Sequence, residues 1–306
     1  MSDKLYDVII IGGGPAGLTA GLYTSRAKLD TLLVERMIMG GQVMTTTKVE
    51  NYPGFPGGID GPDLMVRFQE HCQEFGLRVD YGEVENLIDR GGEKIVVVDG
   101  KELRARTVII TTGAEPRKLG IPGEQEFTGR GVSYCATCDG AFFRNVPVAI
   151  VGGGDTAVEE ALFLTKFASR VYLIHRRDKL RTTPILQDRL FAHEKIEVLW
   201  NSVVERAEGS AAGLNALALR QVADDARRTL EVQGVFVAIG VTPKAHFLAD
   251  ILELDADGYI LTDAECRTSM PGVFAAGDVR KKILKQIATA VGDGAIAAIM
   301  AEKYLE

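Results

Sequence analysis

The first apolar cluster, Val8-Ile9-Ile10-Ile11, is short and β-branched, and it runs straight into Gly12-Gly13-Gly14-Pro15-Ala16-Gly17. An apolar run of this length, closed by a turn signal, predicts a buried parallel strand over residues 7–11. A helix is predicted next over 18–27, then a second strand over 32–34 that ends at Glu35. The same plan returns in mid-chain. A strand over 146–151 meets Gly152-Gly153-Gly154-Asp155-Thr156-Ala157, and a helix over 158–168 and a strand over 171–174 follow. The chain therefore carries two copies of one strand–turn–helix–strand unit.

Between the copies lie a Gly/Pro-containing loop at 36–62, a helix over 62–75 and β-rich stretches at 78–88 and 93–110. Leu64, Phe68, Cys72 and Phe75 share one face of that helix, which marks them as core. Beyond the second copy come an apolar strand over 234–239, a strand ending at Gly277-Asp278, and a closing helix over 283–304. The fold class is thus α/β, with two Rossmann-like dinucleotide-binding domains.

The first glycine loop has the spacing Gly12-x-Gly14-x-x-Gly17, and the next strand ends in an acid, Glu35, 18 residues after Gly17. In this context the three glycines serve distinct purposes. They permit a tight turn, a close approach of backbone to a pyrophosphate, and close packing of helix on strand. Amides at the helix start face the phosphates. Glu35 can accept hydrogen bonds from ribose hydroxyls. The second loop, Gly152-x-Gly154-x-x-Ala157, is followed by His175-Arg176-Arg177 and Arg181 instead of an acid. Read alone, this run is a solvated basic turn; read at this distance from a glycine loop, it is a clamp for a 2′-phosphate and selects NADP over NAD.

Two nucleotide loops imply two cofactors. A nicotinamide and a flavin form the natural pair, one delivering a hydride and the other passing electrons on. Residues 1–114 and 245–306 then form a discontinuous flavin domain, and 115–244 an inserted nicotinamide domain. Ala114-Glu115-Pro116 and Gly240-Val241-Thr242-Pro243 are the expected linkers.

Composition narrows the class. The 306 residues include 35 basic and 42 acidic ones, a net charge of −7. That argues against a nucleic-acid or anionic-membrane partner. No apolar run nears the roughly 20 residues of a membrane helix, and nothing resembles a signal peptide, so the expected location is the cytoplasm. The four cysteines are too few for a disulfide scaffold. Two of them, Cys135 and Cys138, sit 14 residues or more ahead of Gly152 with C-x-x-C spacing. That spacing suits a redox-active disulfide or part of a zinc site. Zinc lacks further ligands, because Cys72 and Cys266 are remote and His71, His175, His193 and His246 are unpaired in spacing. No metal is expected. Asp139 follows directly; it is either an acid for disulfide chemistry or half of an Asp-Gly turn with Gly140.

With Gly40-Gly41-Gln42, Glu50-Asn51-Tyr52-Pro53-Gly54 and Phe274-Ala275-Ala276-Gly277-Asp278-Val279, these motifs resemble, in order, those of the low-molecular-weight thioredoxin reductases over almost the whole chain. The resemblance implies a three-layer ββα build for both domains, FAD in the split domain, NADPH in the insert, a homodimer, and thioredoxin as protein substrate. By it, Gly12, Gly14, Pro15, Ala16, Gly17, Glu35, Gly41, Gln42, Asn51, Thr112, Gly113, Asp278, Gln286 and Ile287 line the FAD site, with Val84 near the adenine. Gly152, Gly154, Asp155, Thr156, His175, Arg176, Arg177 and Arg181 take NADPH. Cys138 is the sulfur nearer the flavin and Asp139 the acid. Thr111 and Lys285 depart from the usual Ala and Arg. Because disulfide and nicotinamide share the insert yet serve one flavin, the insert is expected to rotate on its linkers between half-reactions. The rival readings are a same-fold disulfide reductase fed by reduced ferredoxin, or one serving another thioredoxin-like acceptor.

Overall fold

The computed structural model describes residues 4–46 and 49–306. By chain contacts it divides into two compact units, one ending at Glu115 and resuming at Thr242, the other running from Pro116 to Val241. The connecting segments Ala114–Pro116 and Val241–Pro243 pair as a two-stranded ribbon.

The first unit opens with β1 (Leu5–Ile11), α1 (Pro15–Arg26) and β2 (Thr31–Glu35). The helix begins at Pro15 rather than Leu18, since a proline at the first helical position has no N–H to leave unpaired. In the expected 36–62 loop, Gly41–Thr45 forms a 3-10 turn and Val49 bridges Ile59, while Thr47 and Lys48 lie outside the described residues. Next come α2 (Gly61–Glu74), β3 (Arg78–Tyr81), β4 (Val84–Asp89), β5 (Lys94–Val98) and β6 (Lys101–Ile110). On α2, Leu64 and Cys72 are buried, and the Cys72 thiol donates to Leu18 O at 3.1 Å. Phe75 departs from the sequence pattern. It caps the helix end, stays exposed, and carries the Arg26 guanidinium 5.5 Å above its ring.

The second unit contains β7 (Val132–Ser133), α3 (Ala136–Asp139), β8 (Pro147–Gly152), α4 (Asp155–Leu164), β9 (Arg170–Ile174), α5 (Pro184–Phe191) and β10 (Ile196–Leu199). It continues through β11 (Ser202–Ser210), β12 (Gly213–Gln221), β13 (Arg227–Glu231) and β14 (Gly234–Ala238). A parallel sheet has the order β10-β9-β8-β14-β7. An antiparallel sheet β11-β12-β13, which the sequence pattern does not predict, packs Val204, Ala207, Leu217 and Leu219 with Ala149, Val235 and Val237. Helices fill the other side, where Val158, Ala161 and Leu164 meet Val148 and Ile150. Alternate residues of β8 thus enter two different cores, which is why that strand reads as a continuous apolar run. Helix α4 starts at Asp155 and stops at Leu164, three residues before its expected start and four before its expected end.

The chain then returns to the first unit with β15 (Val273–Ala275) and α6 (Ile287–Leu305). The sheet there runs β3-β2-β1-β6-β5-β4, with β15 parallel to the end of β6. Helix α6 begins at 287 rather than 283 because Gln286 and Thr289 form a reciprocal capping box. It lies close on α1, and a side chain on Gly294 would strike the Ala16 backbone.

Candidate active site

Each glycine of the first loop answers a distinct steric demand. Gly12 has φ +108°, and a Cβ there would lie 2.6 Å from Thr111 O. A Cβ on Gly17 would collide with Gly12 O, so that glycine brings α1 down onto β1. Gly14, by contrast, faces open space, with nothing within 4 Å of an added Cβ. The helix start is therefore shaped for close approach of a phosphate rather than for packing. Glu35 Oε2 accepts the Gly13 amide at 2.7 Å and Oε1 the Met37 amide at 3.0 Å. This fixes the carboxylate with lone pairs left for a ribose.

Around that loop the fold gathers residues far apart in sequence. The Gly40 amide donates to Gly13 O at 2.8 Å, and a Cβ on Gly41 would sit 3.3 Å from Gly14 Cα. Asn51 Nδ2 donates to Gln286 Oε1 at 2.9 Å across 235 residues. Ile287 opens α6 directly after that glutamine. The Gly82 amide donates to the Glu35 backbone oxygen at 3.0 Å, two residues before β4 opens at Val84. Thr112 Oγ1 donates to Lys244 O at 2.6 Å, and the Lys244 amide to Gly113 O at 2.9 Å.

Asp278 holds the most informative atom. Its Oδ1 is buried and makes no hydrogen bond among the described residues, although Lys282 Nζ approaches within 3.5 Å. Burial pushes its carboxyl above the usual range. A buried oxygen whose one partner is a cation at 3.5 Å has room for a closer donor from outside the chain, and the hydroxyls of a ribityl chain fit. The donor set, the open glycine and the ribose acid together suit FAD.

The second loop repeats the design with one change. A Cβ on Gly152 would lie 2.5 Å from Ala157 Cβ, while Gly154 faces open space. Ala157 replaces a third glycine and packs on Gly152. Arg176, Arg177 and Arg181 are exposed, and among the described residues none of them is held in an ion pair. Three unpaired guanidinium groups beside an open phosphate cradle suit NADPH. His175 behaves differently from its arginine neighbours. It is buried, with Nδ1 2.7 Å from Gly152 O and Nε2 3.0 Å from Lys179 O. Its ring braces the loop from within rather than facing a ligand. The Asp155 carboxylate likewise turns to Thr182 and Thr183. Thr156, the next residue of α4, is exposed.

Cys135 and Cys138 are joined as a disulfide, with Cα atoms 5.3 Å apart. Cys135 precedes α3, and its Sγ accepts the Cys138 amide at 3.2 Å and lies 3.3 Å from Thr137 Oγ1. Beneath them Ala136 is fully buried among Val158, Ala161 and Leu164, so α3 rests on the helix that leaves the second glycine loop. The Ser133 hydroxyl donates to Asp139 Oδ2 at 2.7 Å and accepts the Cys135 amide at 3.1 Å. Burial raises the Asp139 carboxyl above its ordinary value, against the pull of Ser133. Glu160 on α4 is half-buried and hydrogen-bonded to the Ala136 backbone, and desolvation takes its pKa up to about 7.

A profile of the pyridine nucleotide-disulphide oxidoreductases matches residues 6–294. The chain belongs to that family. Within it, the chain groups with the thioredoxin reductases. It is 51% identical to the thioredoxin reductase of Listeria innocua over 304 residues, which is 99% of this chain and 95% of that one. It superposes on the thioredoxin reductase of Streptococcus pyogenes with a TM-score of 0.95 at 46% identity, covering 99% of both chains. For the Lactococcus lactis thioredoxin reductase, described as the FR conformation, identity is again 46% with 98% and 99% coverage, but the TM-score is 0.68. As a member of this family the chain is an NADPH-dependent flavoprotein oxidoreductase, with FAD and NADPH as cofactors.

Sequence reasoning misses Ser133, Glu160, Thr182 and Asp293. Ser133 bonds Asp139 and Cys135, Glu160 the Ala136 backbone, Thr182 the Asp155 carboxylate and Asp293 the Gly277 amide, and none of these contacts is marked by a helical or strand period. No helix among the described residues is long and apolar enough to cross a membrane.

Proposed function

We propose that this flavoprotein reduces the disulfide of thioredoxin, with Cys135 and Cys138 as the relay. The observation that carries the reading is the Cys135–Cys138 disulfide next to a carboxyl whose pKa burial raises. When bound, NADPH and FAD would supply the electron pair that reduces the Cys135–Cys138 disulfide. Gly12, Gly14, Gly17, Glu35, Asn51, Asp278 and Gln286 hold the FAD. Gly152 and Gly154 with Arg176, Arg177 and Arg181 hold the NADPH.

Two electrons break the S–S bond and leave two sulfur anions. Asp139, held by Ser133, supplies a proton to one of them, the Cys138 sulfur. The Cys135 sulfur keeps its charge, stabilised by the Cys138 amide and the Thr137 hydroxyl. It attacks one sulfur of the thioredoxin disulfide and releases the other as a thiolate. Cys138 gives its proton to the thioredoxin thiolate released first and attacks the Cys135 sulfur of the mixed disulfide. This restores the Cys135–Cys138 bond and releases the second thioredoxin thiolate, which takes a proton from solvent to complete the dithiol. Per turnover one NADPH is oxidised and one disulfide reduced.

The inserted unit rotates on the 114–116 and 241–243 segments between half-reactions. Support comes from the solved relatives, where equal identity goes with TM-scores of 0.95 and 0.68, as when two intact units take different orientations. A homodimer in the cytoplasm completes the reading. A ferredoxin donor is disfavoured, because a nicotinamide-free enzyme has no use for three unpaired arginines at 176–181.

Replacing Cys135 or Cys138 by Ser tests the relay. Thioredoxin reduction should vanish while NADPH still bleaches the flavin. Reduction that persists in either variant would sink the proposal.

A further inference from the structure

The fold fastens the basic loop to the second glycine loop at both ends. At its start, the buried His175 ring is wedged between two carbonyls, Nδ1 2.7 Å from Gly152 O and Nε2 3.0 Å from Lys179 O, with its N–H donating to one of them. At its end, the Arg181 amide donates to Gly153 O at 2.8 Å, and Thr182 Oγ1 donates to Asp155 Oδ1 at 2.6 Å. The Thr183 amide donates to the same carboxylate oxygen at 3.3 Å. Thr182 is only 6% exposed, and its carbonyl accepts Gln187 Nε2 of α5 at 2.8 Å. One buried hydroxyl thus ties the first residue of α4, at the phosphate cradle, to the start of α5 at Pro184. Arg176, Arg177 and Arg181 lie on the loop between these two attachments.

We infer that Thr182 and Asp155 are positioning residues for cofactor selectivity: their hydrogen bond holds the arginine loop in register with the phosphate cradle, so that the chain prefers a nucleotide carrying a 2′-phosphate. The inference rests on the reading that Arg176, Arg177 and Arg181 bind that phosphate. Arginine recognition of phosphate is directional, with paired N–H···O bonds. Displacing the guanidinium groups weakens it more than it weakens a simple charge attraction. A loop fixed in advance also avoids the ordering cost at binding. The same bond explains how a carboxylate is tolerated at the cradle. Two donors, the Thr182 hydroxyl and the Thr183 amide, compensate Asp155, and an acid in the first helical turn is itself favourable. A nucleotide lacking the 2′-phosphate offers the guanidinium groups no paired N–H···O contact to lose, so its affinity does not depend on the latch.

The test uses oxidised holoenzyme, whose FAD site is filled, titrated calorimetrically with 2′,5′-ADP and with 5′-ADP. Wild type should bind 2′,5′-ADP more tightly. Thr182→Val should lose about tenfold in affinity for 2′,5′-ADP, the equivalent of one hydrogen bond, with 5′-ADP affinity unchanged. Thr182→Ser, which keeps the hydroxyl, should restore the wild-type ratio. Arg177→Ala serves as the control for the reading beneath the inference. If Arg177→Ala lowers the ratio and Thr182→Val does not, the latch is wrong and the arginine reading stands. If Thr182→Val weakens both ligands equally, the residue is merely structural and the inference also fails. If Arg177→Ala leaves the ratio unchanged, the arginine reading itself is wrong.

Discussion

The Ser133 hydroxyl donates to Asp139 Oδ2 at 2.7 Å, six residues along the chain, and the same oxygen of Ser133 receives the Cys135 amide. Acid and disulfide are therefore held by one side chain. A donor to a carboxylate favours its charged form and lowers its pKa. Removing the donor in Ser133→Ala should raise the Asp139 pKa further. Asp139 acts as an acid, so activity falls as pH rises through its pKa. The alkaline limb of thioredoxin reduction should move to higher pH in Ser133→Ala. In Asp139→Asn the limb should disappear and turnover should drop roughly 100-fold or more, with NADPH-to-flavin transfer intact. Stopped-flow traces across pH report both effects.

Asp293 is the second residue that organises a site from a distance. Its Oδ2 accepts the Gly277 amide at 3.1 Å and Lys282 Nζ at 3.0 Å, while Oδ1 accepts Arg280 at 3.1 Å. All three charged side chains are at most 14% exposed. Asp293→Asn leaves two cations short of a partner and loosens the turn that carries Asp278. A destabilisation of roughly 3 kcal/mol is expected, as when one member of a buried ion network is removed. The purified variant should also hold less than one FAD per chain. Thermal unfolding and the flavin-to-protein absorbance ratio check this; an unchanged ratio would contradict the role assigned to Asp293.

Glu160 should make stability depend on pH near neutrality. Its folded pKa of about 7 lies above the ordinary carboxylate value because burial disfavours the charged form. Below about pH 4.5 the group is protonated in both states and contributes nothing. Between about 4.5 and 7 the unfolded chain ionises first, so stability falls as pH rises and levels off above 7. The full span is on the order of 3 kcal/mol. Glu160→Gln should remove this slope, and urea midpoints measured from about pH 5 to about pH 8 for both proteins test it.

How much of the molecule is legible in its sequence follows from where each physical constraint acts. The glycine loops are legible because a steric demand at Gly12, Gly17 and Gly152 is met within a few residues, at fixed spacing. The Cys135–Cys138 pairing is legible because both sulfurs lie within one C-x-x-C spacing. Helix starts are less so: Pro15 and Gln286 move the boundaries of α1 and α6 by three and four residues, through a proline and a cap that periodicity does not weigh. The β11-β12-β13 sheet escapes because its apolar residues alternate weakly and find their partners only in the parallel sheet beneath. Thr111, a departure from the resembling family, proves to be structural. Its hydroxyl lies 2.7 Å from Gly12 O and 2.9 Å from Ile11 O, under the first loop. Glu160, Thr182 and Asp293 stay hidden because a side-chain hydrogen bond between distant segments leaves no periodic trace, and Ser133 because its short-range bonds to Cys135 and Asp139 are marked by neither a helical nor a strand period.

The path of electrons from NADPH through the Cys135–Cys138 pair to thioredoxin is tested most directly by an anaerobic stoichiometry. Thioredoxin from the same source is the acceptor, and NADPH absorbance and free thiols are followed together. The expected result is one NADPH consumed for each thioredoxin disulfide reduced by the wild-type enzyme, and flavin bleaching without any thioredoxin thiol in Cys138→Ser. NADPH oxidation with no thioredoxin thiols formed by the wild-type enzyme would contradict that path.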